Sequence, residues 1–179
     1  MIKGMLNRID YAASAGIDVE NKNDFLLSGL NEFMDELKNK NPKAEWNELQ
    51  RYMAENRDKN VIATAQTGMG KTEAGLLWIG DNKGFFTLPL RTAINAIYKR
   101  ITENIVKSDI EKRVALLHGD SYSKYLQKID DESLEIDIDE YYNRTKQMAL
   151  PLTICTLDQI FDLVFRYTGF NPKQANMTY

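Results

Sequence analysis

Val61-Ile-Ala-Thr-Ala-Gln-Thr-Gly-Met-Gly-Lys-Thr72 decides how this chain reads. Its first four residues, Val61 to Thr64, form an apolar lead of the kind that makes a buried parallel strand. They run into Ala65-x-x-x-x-Gly70-Lys71-Thr72 and then into Glu73-Ala-Gly-Leu-Leu-Trp78, a helical pattern. Strand, glycine-bearing loop and helix, in that order, are the context in which a P-loop works. Gly68 and Gly70 let the backbone curl so that successive N–H groups point at phosphate oxygens. The helix that follows aims its partial positive charge at the same anion. Lys71 is placed to reach β- and γ-phosphates, and the Thr72 hydroxyl to sit on Mg²⁺. The stretch therefore predicts a bound nucleoside triphosphate with magnesium.

Working outward, the rhythm beyond the loop is strand, helix, strand, helix, strand, helix. Phe85-Phe-Thr-Leu88 predicts a strand ending at Pro89, and Arg91 to Val106 a helix with Ile94, Ile97, Tyr98, Ile101 and Ile105 on one face. Val114-Ala-Leu-Leu117 predicts the next strand, ending at His118-Gly119. Residues 120–150 read as a helix, an acidic loop and a short helix. Leu152-Thr-Ile-Cys155 is a further strand, and Thr156 to Tyr167 a helix. Upstream, Ile2 to Ser14 reads as a short helix. The cluster Asn21–Asp24 reads as the cap of a second helix with Phe25, Leu26, Leu30, Phe33, Met34 and Leu37 in its stripe, and Glu45 to Asn56 as a third. Alternating β and α elements around a P-loop predict an α/β fold: a parallel sheet with helices on both faces, preceded by a short helical segment.

Composition sets limits. In 179 residues with 43% apolar content there is room for one ordinary core. The single cysteine, Cys155, lies in an apolar run and reads as a buried small hydrophobe in a reducing cytoplasm. No apolar run approaches the length of a membrane span and no signal-peptide pattern opens the chain, so a cytoplasmic protein without membrane contact is expected. The net charge of −3 conceals an asymmetry. Residues 129–140 hold seven acids and no base, and the remainder carries +4. Local patches rather than the sum govern phosphate contact, so the charge neither excludes nor supports a nucleic-acid partner.

Other residues carry weaker signals. Gln50, on the helix before the loop, either meets an adenine edge with both halves of its amide or lies solvated on its helix. Arg91 and Thr92, where a strand ends and a helix begins, either hold a nucleic-acid phosphate or serve as surface residue and cap. Thr156-Leu-Asp-Gln159 has capping-box spacing at another strand end. His118, the only histidine, reads as a loop-end residue without a second metal ligand. Asp139-Glu140 lies in an alternating acidic stretch and reads as solvated loop.

The order of these segments is more telling than any one of them. AQTGMGKTEA, LPLRTAINAIYKRI, LLHGD and TICTLDQI follow one another as in superfamily 2 helicases. Their wording most resembles the CRISPR-associated helicase–nuclease of type I interference systems, above all in GKTEAGLLW, LPLRTAINAIYKR and TLDQIF. The opening Lys3 to Ala15 resembles the closing helix of that family's HD nuclease domain. The resemblance implies an ATP-driven motor lobe that moves along single-stranded DNA delivered by an RNA-guided surveillance complex. Its cofactors would be ATP and Mg²⁺. By matched position it implies Gln50 at adenine and Thr67, Gly68, Met69, Gly70, Lys71 and Thr72 at the phosphates and Mg²⁺. Lys71 and Thr72 would carry the catalytic role, and Arg91, Thr92 and Thr156 would lie on the DNA backbone. Asp10 matches a nuclease-domain aspartate of a metal site whose histidines are absent here. The implied division is an HD remnant over 1–20, a helical linker over 21–44, and a RecA-like lobe over 45–179. The acidic DExx segment expected after TLDQI is not reached by Tyr179, so an incomplete lobe, inactive alone, is expected. Two rivals are a stand-alone P-loop kinase or small NTPase, and a non-catalytic nucleotide- or DNA-binding module.

Overall fold

Three of the expected strands form one sheet in the computed structural model, which describes residues 21–132 and 138–165 and, before them, residues 6, 9, 10, 12–14, 16 and 19. They are β1 (Gly84–Leu88), β2 (Val114–Leu117) and β3 (Leu152–Thr156), all parallel, in the order β1-β3-β2. The helices are α1 (Leu26–Lys40), α2 (Glu48–Glu55), α3 (Lys71–Ile79), α4 (Arg91–Asn104), α5 (Ile110–Arg113), α6 (Ser121–Glu132), α7 (Ile138–Lys146) and α8 (Leu157–Phe165). The described residues among 6–14 are helical.

Side-chain alternation along the strands makes two cores. Phe86, Ile154 and Leu116 stand in register on one face, with Leu152 and Val114 beside them. They pack with Leu26 and Leu30 of α1, Leu76 and Leu77 of α3, and Ile94 and Ile101 of α4. Several of these side chains are wholly buried, each contributing roughly 1.5–3 kcal/mol through removal from water. On the other face Phe85, Leu117 and Cys155 meet Met148 and Ile160 in a thinner cluster. Both faces are thus covered, as a parallel sheet requires. No helix among the described residues is long and apolar enough to cross a membrane.

The two edges of the sheet differ. On β2 the Tyr125 hydroxyl accepts from Leu116 N–H and donates to Leu116 C=O, each at 2.7 Å, and the Tyr141 hydroxyl donates to Val114 C=O at 2.6 Å. Burial pushes the Tyr125 phenol up to about 12 and Tyr141 well above its ordinary range, so both stay protonated. On β1 the edge away from β3 pairs with no strand among the described residues.

Three expectations need correction. Val61–Thr64 takes no regular secondary structure and belongs to no strand, and Ile62 is fully exposed. An apolar run becomes a buried strand only where a neighbour offers its backbone a ladder and its side chains a face. The cluster Asn21–Asp24 does not cap α1, whose N-cap is Phe25 with no side-chain bond. Asn23 instead donates to the carbonyls of Gly80 and Asn82, and Asn21 to that of Lys112. Asp139 and Glu140 lie in the first turn of α7, where acids suit the helix dipole, not in a loop. Residues 133–137 of the acidic stretch and the segment 166–179 lie outside the described residues.

Candidate nucleotide site and an adjoining charged rim

The P-loop is held from below by α2. Asn47 caps that helix with a full capping box: its side chain accepts from Gln50 N–H, and Gln50 Oε1 accepts from Asn47 N–H, both at 3.0 Å. The same two side chains then reach the loop. Gln50 Nε2 donates to Gly70 C=O at 3.3 Å, and Asn47 Nδ2 donates to Met69 C=O at 3.0 Å. Gln50 is buried, and both halves of its amide are engaged by backbone.

Gly70 is the N-cap of α3, in left-handed conformation at φ 67°. A Cβ there would lie 2.3 Å from Gln50 Nε2, so both conformation and space require glycine. With no side chain capping α3, its first-turn N–H groups are free to meet an anion. Thr67, Gly68 and Met69 form an exposed lip, and Thr72 is half-buried in the first turn of α3. Lys71 is exposed and curls back, its ammonium donating to Ala65 C=O at 2.9 Å and Gln66 C=O at 3.0 Å. Behind it, Glu73 is 2% exposed and Arg100 of α4 lies 2.6 Å from its Oε1, an ion contact outside hydrogen-bond angles.

This constellation fits a triphosphate. Uncapped amides, a lysine held only by exchangeable carbonyl bonds and open space at Gly68 converge at one helix end. Among the described residues no group of three His, Cys, Asp or Glu side chains is placed to hold a metal. Magnesium here would rest on phosphate oxygens, with Thr72 as a protein ligand.

The residues expected on nucleic acid lie at the C-terminal ends of the strands. Arg91 and Thr92, both exposed, open α4, whose N-cap is Leu90 and not Thr92. Arg91 Nη1 is paired with Asp120 Oδ2 at 2.6 Å. His118 is buried; its Nδ1 accepts from Asp120 N–H at 3.1 Å and its Nε2 meets Asn95 Oδ1 of α4 at 2.9 Å. The ring is therefore neutral with the proton on Nε2. Burial pushes its pKa down, Asp120 and Asp158 working against that and Arg91 and Lys124 with it. Thr156 is buried, and its hydroxyl bonds to Asp158 and holds that carboxyl below its usual range. Gln159 Nε2 donates to Asp158 Oδ2 at 2.8 Å. Asp10 is exposed and stands in no metal-ligating group among the described residues.

The family profile described as DEAD/DEAH box helicase matches residues 47–164, from the cap of α2 into α8. The chain belongs to the DEAD/DEAH box helicase family. This helicase-family chain is 31% identical over 172 residues to a protein named CRISPR-associated nuclease/helicase Cas3 of Methanothermobacter thermautotrophicus, covering 94% of this chain and 20% of that protein. It is 31% identical over 121 residues to a putative CRISPR-associated nuclease/helicase Cas3 of Methanocaldococcus jannaschii, covering 63% of this chain and 16% of that protein. It thus spans about a fifth of the length of the Methanothermobacter protein. No solved structure matches it. In the helicase frame the parallel α/β sheet is RecA-like. Sequence reasoning overlooked the support of the loop by Asn47, although the Asn47-x-x-Gln50 spacing announces a capping box. It also overlooked Glu73, Asp120 and Asn95, whose partners are distant in sequence.

Proposed function

We propose that this helicase-family chain is the ATP-binding part of the first motor lobe of an ATP-dependent DNA helicase or translocase of CRISPR interference, acting in the cytoplasm. The observation that carries the reading is the uncapped N-terminus of α3 behind Gly70, Lys71 and Thr72, inside a chain that matches Cas3-named relatives along most of its length. In this reading Lys71 releases the Ala65 and Gln66 carbonyls to take the β- and γ-phosphates, the N–H groups of Thr67 to Thr72 cradle the anion, and Thr72 takes Mg²⁺. Gln50 meets adenine only by exchanging a bond it makes to backbone. Its first task is to hold Gly70.

The partners are single-stranded DNA and, by relationship, an RNA-guided surveillance complex. Arg91, Thr92 and the uncapped start of α4 meet the DNA backbone. Thr156, being buried, shapes that rim through Asp158 and meets the strand only if Asp158 gives way. Residues 45–179 form the lobe and 21–44 the linker; Asp10 belongs with 1–20 to the remnant of an adjoining HD domain. The 179 residues alone turn over ATP poorly, because the acidic motor segment and second-lobe arginine on which the family relies are not among them.

Calorimetric titration with ATP and Mg²⁺ tests the reading. Lys71→Ala abolishes measurable binding with an unchanged circular dichroism spectrum. Equal affinity in that variant would remove the nucleotide site. Brisk, DNA-stimulated ATP hydrolysis by the 179-residue chain would remove the claim that it is incomplete as a motor.

A further inference from the structure

We propose that Asp120 competes with nucleic-acid phosphate for Arg91, so that this carboxylate sets the strength of strand binding at the rim. The inference rests on the reading of Arg91 as a backbone contact and adds what controls it. The two side chains pair at 2.6 Å while both remain largely exposed, at 59% and 64%. An exposed pair of this kind is weak and exchanges readily. Carboxylate and phosphodiester offer the guanidinium the same planar pair of acceptors, so each excludes the other.

The competition is built into the fold. Asp120 is not a mobile surface acid that happens to lie nearby, because its own N–H is held by His118 Nδ1. His118 in turn reaches across to Asn95, one turn along α4 from Arg91. The histidine therefore ties the end of β2 to the helix that carries the arginine. The Gly119 backbone runs so close to the guanidinium that a Cβ there would lie 3.2 Å from Arg91 Nη2. Asp158 adds a second negative charge, near enough for Arg91 to contribute to its lowered pKa. Its carboxylate is already engaged by the Thr156 hydroxyl and the Gln159 amide, which leaves Asp120 as the direct rival. A phosphate that displaces Asp120 gains the adjoining uncapped N–H groups of α4, which the carboxylate does not use. The displaced Asp120 then stands beside the bound anion and repels it.

The test is fluorescence anisotropy of a labelled oligothymidylate titrated with the 179-residue chain across a salt series. Asp120→Asn tightens binding about two- to fivefold at low salt, the range by which an exposed ion pair biases an equilibrium. Arg91→Ala weakens binding, and in that background Asp120→Asn has no further effect. Asp81→Asn, the same change of charge beside the opposite end of β1, leaves affinity unchanged. If Asp120→Asn weakens binding as Arg91→Ala does, the carboxylate orients the arginine instead, and the proposal is overturned while the reading of Arg91 stands. Equal tightening by Asp81→Asn overturns it in favour of general charge. A wild-type chain that binds no oligothymidylate, or an Arg91→Ala chain that binds as well as wild type, removes the reading and the proposal together. All these side chains are exposed, and circular dichroism confirms that each variant folds.

Discussion

Removing the Arg100 guanidinium while keeping its stem, as in Arg100→Met, strands a carboxylate. Glu73 is 2% exposed and lies in the first turn of α3, with Arg100 Nη2 at 2.6 Å from its Oε1. At that distance, with the effective dielectric of about 20 that suits such sites, the gross attraction is about 6 kcal/mol. Most of this is offset by the water both groups give up. Fully exposed pairs end near 0.2–1 kcal/mol, whereas orphaning one member of a fully buried pair costs about 3–5 kcal/mol. Arg100 is half exposed, so water reaches one partner and not the other, which places the loss at about 2 kcal/mol. For a chain of this length that is a fall in Tm of about 4–8 °C. Urea denaturation followed by circular dichroism measures it. Glu73→Gln combined with Arg100→Met leaves no buried charge, and the double variant should be more stable than Arg100→Met alone. An Arg100→Met protein within about 0.5 kcal/mol of wild type, or a double-mutant cycle with no coupling, would refute the argument.

Tyr125→Phe leaves the outward N–H and C=O of Leu116 without partners and should cost about 1–3 kcal/mol in the same assay; a neutral outcome would mean water replaces the hydroxyl. The His118 pKa is lowered on folding, so the unfolded chain binds the extra proton first. Stability should therefore fall as pH drops from about 6.5 toward the lowered folded value, a slope that His118→Gln abolishes. Gly70→Ala should lose ATP affinity and Tm together, since a Cβ would strike Gln50 Nε2 and strain a positive φ; ATP binding unchanged by calorimetry would argue against the loop geometry described.

What could be read from the chain before folding was what is written locally. The P-loop depends on spacing within twelve consecutive residues, Val61 to Thr72, and its loop and helix lie where expected. β2 begins and ends on the expected residues, and β1 and β3 each gain one. The strand expected at Val61–Thr64 depended on neighbours that a local pattern does not contain. Cap assignment failed at Asn21–Asp24 because those amides had distant carbonyls to satisfy. The ion pairs of the site, Glu73 with Arg100 and Arg91 with Asp120, join segments far apart in sequence and emerge only when helices pack on the sheet. Gln50 was legible as significant for a reason that the fold refines, since its amide braces the loop.

The unequal edges of the sheet give it a direction of growth. Two tyrosine hydroxyls occupy the outward backbone groups of β2 as an incoming strand would, and a strand approaching from that side finds no ladder to join. β1 presents the opposite case, with partly exposed Phe85, Phe86 and Leu88 and an edge that no described strand covers. Whatever lengthens this sheet, whether more of the same polypeptide or a neighbouring copy, joins at β1. In a concentrated solution of the isolated chain that edge is also where self-association would start, and a lysine at Thr87, half-buried in β1, is the substitution to try first against it.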